Sequence, residues 1–401
     1  MALSPGSPKL PVFVWIHGGS QAVTFGSAAS GVCDTTNIVK DSLTWKRPII
    51  AVTLQYRLNI FAFGDKPSSK NLALKDQALA LRWVHNHIAE FGGDPENITL
   101  AGESAGAVYC HAHLVTGAPA KQFFFASGSL YLSPPQPEER AFAMRQNLLR
   151  NLRSLGDFDL STAPAEKLVE ALVRSKIQSW FLQMDSGFER WETKTGQAER
   201  LMVSDVQNEA VVFRDGIWAM DAADIVHAFD LAGEHSSKLK RFYSIYSERP
   251  SSCKLGALDF LHDYKFLLPA EKLVQQFKGE GKKAYRYLVD EPNPWQPSNG
   301  SHHAIDLVFL FGGFDMSFSP AAQKTGEHMR TALVKFVHSQ EPWEFAGYAA
   351  FGPHGRFNEL DEMEFRSRRR IEQAGFLDTV SSQVLDTVFF ALAAGRISLL
   401  N

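Results

Sequence analysis

Apolar residues fall in short, unbroken runs at 12–16, 49–54, 98–101 and 123–126, instead of alternating with polar ones. Continuous runs of this length suit strands covered on both faces, as in a parallel sheet sandwiched by helices. Between the second and third runs, Ala78, Leu81, Val84 and Ile88 recur at steps of three or four and predict a helix over about 72–91. The following "FGGDPEN" stops that helix with two glycines and turns into the next strand. Strand–helix–strand alternation of this kind predicts a doubly wound α/β fold.

From about 134 to 195 the pattern changes to charged, helix-periodic sequence without strand signals, a helical insertion or lid over the sheet. Strand signals return in "RLMVSDV" and "KAYRYLVD", and helices follow over 326–339 and 381–400. The 401 residues are read as one α/β domain, with the insertion inside it.

Composition removes alternatives. A formal net charge of −3 gives no electrostatic case for nucleic acid or an anionic membrane. Cys33, Cys110 and Cys253 are too few and too scattered for a disulfide scaffold or a thiol metal site, so neither metal nor cofactor is expected. No apolar run reaches the ~20 residues of a membrane span. "MALSPGSPKLPVF" lacks a basic segment followed by an apolar one, so the sequence as given reads as intracellular.

The candidate chemistry begins at "LAGESAGAVY", where Ser104 stands between Gly102 and Gly106 at the end of an apolar run. A serine hydroxyl needs a base to take its proton and must project where base and substrate can reach it. The tight strand-to-helix turn that achieves this crowds its neighbours, and glycines two residues away remove the colliding Cβ atoms. Ser104 is therefore the candidate nucleophile rather than a buried turn serine. An oxyanion needs preset N–H donors. Ala105 supplies one, and the loop His17-Gly18-Gly19-Ser20 after the strand at 12–16 is the second source.

"PVFVWIHGGS", "PIIAVTLQYRLNIFAFG", "NLALKDQALALRWVHNHIAEFGGDPENITLAGESAG" and "FFFASGS" resemble, in order and spacing, the type-B carboxylesterases, the cholinesterase, lipase and carboxylesterase family of α/β-hydrolases. The similarity is dense over 11–133 and traceable to about 348. The resemblance implies an α/β-hydrolase fold, a small-molecule ester substrate and a triad in the order serine, glutamate, histidine. "RLMVSDVQNEAVVF" then puts the acid on Glu209, with Ala210 where the family has glycine and Asp205 as the fallback. "NGSHHAIDLVFLFGG" puts the base on His303, with Ala304 at a usual glycine and His302 one residue out of register. Ser127 matches a family serine that hydrogen-bonds near the acid, and Asp306 supports the site.

Two departures from the family pattern stand out. The usual Gly-Gly-Gly-Phe loop reads Gly18-Gly19-Ser20-Gln21, which strains the hole if the Ser20 position requires positive φ, and favours a more polar substrate. The chain also begins almost at the oxyanion strand, where relatives carry further strands. That implies either a short enzyme or a sequence that starts downstream of the protein's own beginning. The second is expected, and with it a secreted protein and uncovered sheet edges. The leading function is ester hydrolysis through an acyl-enzyme. Acyl transfer or lactone-forming chemistry on the same intermediate, and a non-catalytic binding role, are the alternatives.

Overall fold

The structure, a computed structural model, describes residues 8–27, 30–177, 180–344 and 347–393. Eight strands form one sheet: β1 (Leu10–Ile16), β2 (Ile50–Leu54), β3 (Gly93–Glu103), β4 (Gln122–Ala126), β5 (Arg200–Val206), β6 (Lys283–Val289), β7 (Tyr348–Phe351) and β8 (Phe357–Leu360). They lie in the order β2-β1-β3-β4-β5-β6-β7-β8. Every neighbouring pair is parallel except β7–β8.

The unbroken apolar runs serve two layers at once. Val12, Val14 and Ile16 of β1 pack on one face with Leu100, Phe123, Phe125, Leu201 and Val203. Phe13 and Trp15 pack on the other with Ala101, Phe124, Met202, Tyr285 and Tyr287. Successive strand side chains point to opposite faces, so a strand covered on both sides must be apolar at every position. β2 is the sheet edge, and four of its five residues are only partly buried.

Strand order also creates the site. From β1 the chain passes outwards to β2, then returns to the other side of β1 as β3 and proceeds through β4 to β8. The connections after β1 and β3 therefore diverge, opening a crevice at their carboxyl ends, where ligands bind in open α/β sheets.

The expected strands at 12–16, 49–54, 98–101 and 123–126 are present. Gly93 pairs with Leu10 and Ile98 with Val12, so 94–97 bulge out of the register where a turn was expected. The helix expected over 72–91 runs Leu72–His87 and tightens to a 3₁₀ turn over Ile88–Phe91. The stretch 134–195 holds helices Glu138–Arg153 and Ala165–Ser175 and a 3₁₀ turn, Trp191–Thr193. The helices expected over 326–339 and 381–400 run Pro320–Val337 and Ser382–Ala393, and the expected continuation of the latter to 400 lies outside the described residues. No single helix among the described residues is long and apolar enough to cross a membrane.

Candidate active site

Ser104 sits between β3 and the helix Ala105–Thr116, with φ 54° and ψ −122°. That conformation is sparsely populated for a residue with a side chain and marks a strained, presented position. The turn leaves no room beside it. A Cβ on Gly106 would stand 2.1 Å from the Ile16 carbonyl oxygen, and one on Gly102 2.5 Å from the Gly106 carbonyl carbon. The two glycines are sterically required.

The loop after β1 lies against this turn: a Cβ on Gly18 would come within 3.3 Å of Ser104 Cβ. Tyr56 stacks on His17 at 4.5 Å and donates to the His17 carbonyl at 2.5 Å, while Tyr109 Oη donates to Gln21 Oε1 at 3.2 Å. Ser20 and Gln21 both have positive φ, 55° and 60°. The strain anticipated for a Cβ in this loop is therefore present at two consecutive residues. The amides of Gly19, Ser20 and Ala105 have no acceptor among the described residues, which leaves them available to an anion.

Glu209 begins a 3₁₀ turn just beyond β5 and is fully buried. One carboxylate oxygen accepts from the Val206 amide at 2.8 Å, and the other lies 2.5 Å from His303 Nδ1, although 94 residues separate the pair. The two segments are laced together by backbone bonds, Asn208 N–H to Ser301 O at 2.8 Å and His303 N–H to Asn208 O at 3.3 Å. Ala304 has φ 68°, so the alanine at the expected glycine position adopts a glycine-like conformation. Ala210, by contrast, has ordinary backbone geometry and tolerates its methyl group.

The fallback residues are otherwise engaged. His302 Nδ1 lies 3.0 Å from the His303 carbonyl oxygen and its Nε2 3.0 Å from Asn293 Nδ2. Asp205 is fully buried against Arg286 (3.1 Å), Arg369 (3.1 Å) and His262 (3.5 Å). Burial would raise its pKa, but Arg286 and Arg369 hold it well below the usual carboxylate range. His262 Nδ1 accepts the Glu209 amide at 3.3 Å, so the buried cluster reaches the Glu209 backbone.

Glu103, the residue before Ser104, was not singled out in the sequence, since a Glu at a strand end carries no periodic signal. Its Oε1 lies 3.2 Å from His303 Nε2, and the side chain is completely buried. Burial, partly offset by His303, pushes its pKa up to about 8. The histidine shifts too: burial would lower its pKa, but Glu103 and then Glu209 raise it to about 9. Asp306, 2% exposed, is pushed up to about 7 by burial and by Glu209. The Ser104 hydroxyl makes no hydrogen bond among the described residues, and no bond joins it to His303. Such contacts are commonly long in ligand-free sites and tighten on binding. Ser127 also departs from expectation: its Oγ is buried without a partner, so the hydrogen bond near the acid is not made. What Ser127 does supply is a φ of 49° and an amide bonded to Ser204 O at 3.1 Å.

Ser104 and His303 line the same pocket. Phe213, Phe266 and Phe389 are among its lining residues, and Pro134, Gln136, Arg140, Trp180 and Phe181 enter from the helical insertion. The arrangement offers a presented hydroxyl, a carboxylate-held imidazole and free amides in a largely apolar cleft.

The sequence profile of the carboxylesterase family matches residues 3–374. Lipase 1 of Yarrowia lipolytica is 29% identical over 398 residues, covering 95% of this chain and 78% of the lipase. The acylcarnitine hydrolase of Mus musculus is 40% identical over 387 residues, 87% of this chain and 65% of that protein. Among solved structures, a carboxylesterase of Geobacillus stearothermophilus superposes with a TM-score of 0.72 at 22% identity, over 90% of this chain and 82% of that one, a likeness of fold.

Proposed function

The chain belongs to the carboxylesterase family and is a carboxylic ester hydrolase, and on that premise we propose that it works through Ser104, His303 and Glu209 and an acyl-enzyme intermediate. Ser104 Oγ attacks the ester carbonyl as His303 Nε2 takes its proton. The carbonyl oxygen, now an oxyanion, is met by the amides of Gly19, Ser20 and Ala105, with Gly18 giving the loop room beside the serine. Collapse expels the alcohol, which receives the proton from His303 and leaves the acyl group on Ser104. Water then attacks that ester, giving its proton to His303, and the acid departs as Ser104 recovers the proton. Glu209 orients the ring through Nδ1 and stabilises its charged form in both halves. Asp306 adds a buried carboxyl behind the pair. Ser127 acts through its backbone, shaping the strand end beside Ser104. The helical stretch 134–195 acts as a lid whose residues complete the substrate pocket.

The 2.5 Å contact between His303 Nδ1 and Glu209 Oε2 carries this reading, since it joins two residues chosen for these roles across 94 positions. The test is turnover of short and long 4-nitrophenyl esters by the wild type and by Ser104→Ala, together with labelling by a fluorophosphonate. Loss of both signals in the mutant is expected, by about 10³-fold or more in rate. Undiminished turnover in the mutant overturns the assignment.

A further inference from the structure

The wall of the Ser104 pocket is apolar over most of its area, yet it carries two cations, Lys265 and Arg140, and no carboxylate. A cation withdrawn from water is costly unless a counter-charge or an aromatic face stabilises it. For Lys265 the neutralising group is present. A single π-helical turn, Asp263–Leu267, interrupts the helical run and brings Lys265 and Phe266 together to the pocket, a device common at functional sites. The Lys265 ammonium lies 3.2 Å from Asp386 Oδ1 and 3.4 Å from the Tyr131 carbonyl oxygen, over the rings of Tyr264 and Phe389. The same Asp386 oxygen also accepts from Tyr264 Oη at 2.7 Å, so that carboxylate is committed.

Arg140 makes no ion pair among the described residues, and Asp386, already held by Lys265 and Tyr264, reaches it only as a more distant charge. Its guanidinium lies over both Phe181 and Phe390, 5.2 and 5.1 Å from the ring centres. Nη1 donates to Gln136 Oε1 at 2.7 Å, and no carboxylate stands within ion-pair distance of Arg140 among the described residues. Rings that hold the guanidinium leave its fork oriented in advance, and a planar fork with unused donors matches a carboxylate bidentately. Arg140 is exposed, whereas Ser104 is partly buried and the His303 side chain nearly fully buried.

Accepting the Ser104 reading above, we infer that this pocket selects esters bearing a carboxylate remote from the scissile bond, bound by Arg140 while Ser104 takes the ester carbonyl. The substrate class is half-esters of aliphatic dicarboxylic acids, or esters whose alcohol part carries the acid. The apolar wall holds the methylene chain, and Lys265, neutralised by Asp386, adds a weaker attraction along the same wall.

The test compares kcat/KM for 4-nitrophenyl hydrogen suberate with that for its methyl ester. A second pair, 4-carboxyphenyl butyrate against phenyl butyrate, places the acid on the alcohol side instead. A preference for the acid-bearing member on the order of tenfold is expected in one pair, expressed mainly in KM. The preference should shrink at 1 M salt, where an exposed cation is screened. Arg140→Gln should bring that ratio to about one, and Arg140→Lys should restore part of it. No preference in either pair, or a preference that Arg140→Gln leaves intact, overturns the inference while leaving the esterase reading standing. Turnover of none of the four esters overturns the esterase reading, and this one with it.

Discussion

Replacing Glu103 by glutamine keeps the side chain's shape and removes the carboxylate that faces His303 Nε2 at 3.2 Å. At an effective dielectric of about 20, unit charges at that separation attract by roughly 5 kcal/mol before desolvation is counted. Neighbouring opposite charges shift measured pKa values by about 1–3 units. His303 is raised to about 9 in part by Glu103, so Glu103→Gln should lower it towards its ordinary value. Sign matters: the free imidazole is the active base, so the acid limb of kcat/KM follows His303 and must move to lower pH. At pH 7 a base with a pKa near 9 is about 1% deprotonated, and one near 7.5 about a quarter. The variant should therefore keep a far larger share of its plateau rate at neutral pH. Glu103 itself is pushed up to about 8 by burial, so carboxyl and imidazole share protons and titrate as a pair. The wild-type limb should accordingly show two apparent pKa values and the variant one. The assay is kcat/KM from pH 5 to 10 on a 4-nitrophenyl ester, corrected for spontaneous hydrolysis. Superimposable limbs for the two enzymes would refute the electrostatic argument, whatever happens to the plateau.

Ser20→Gly should raise stability by about 1 kcal/mol, because φ 55° costs a residue with a Cβ and costs glycine little; a denaturant midpoint no higher than that of the wild type contradicts this. Arg369→Met removes one of the two arginines on buried Asp205 and should cost about 3–5 kcal/mol in urea unfolding at neutral pH. Because the folded pKa of Asp205 is lowered, its stabilisation is present above the unfolded value near 3.9 and fades as pH falls below it. The gap between wild type and Arg369→Met should therefore narrow below about pH 4. Gly106→Ala drives a Cβ to 2.1 Å from the Ile16 carbonyl and should prevent accumulation of folded protein, read from soluble yield and circular dichroism. A variant that melts like the wild type would mean the elbow can relax.

What could be read from the chain depended on how many constraints acted on each segment. The central strands were legible because coverage on both faces leaves no polar position, so Phe123, Phe124 and Phe125 can follow one another. β7 and β8, four residues each, were missed. Runs that short do not establish a period, and Asn358 and Glu359 break the apolar pattern at the sheet's edge. The helices Pro250–His262 and Leu268–Gly279 were missed for the opposite reason. Their buried faces include Cys253, Gly256, Pro269 and Ala270, which do not stand out as an apolar stripe. Ser104 was legible because sterics dictate its flanking residues, whereas Ala304 was placed by the family resemblance alone. Arg140 and Glu103 were not legible. A cation among rings and a carboxylate beside an imidazole are produced by folding, and nothing adjacent in sequence announces either.

The choice between Asp205 and Glu209 shows where sequence stops and electrostatics takes over. Asp205 lies near the end of β5 and Glu209 just beyond it, four residues apart, and either could supply a carboxylate to an imidazole. At Asp205 two guanidinium groups and His262 already surround the carboxylate, which also lies on β5 within the sheet. Its charge is spent on them, and an imidazole brought there would meet cations. Glu209 lies three residues past the strand end, where its carboxylate meets the Val206 amide and the ring of His303. One amide donor leaves the second oxygen free to orient Nδ1 and to stabilise the cation that forms when the ring takes a proton. The cluster around Asp205 is not idle either. Through His262 it holds the Glu209 amide, and through Arg369 it binds Asp290 just beyond β6, on the chain leading to His303. The carboxylate that cannot serve as the acid instead fixes the loops that carry the acid and the base, so loosening it should disturb the His303–Glu209 contact as well as stability.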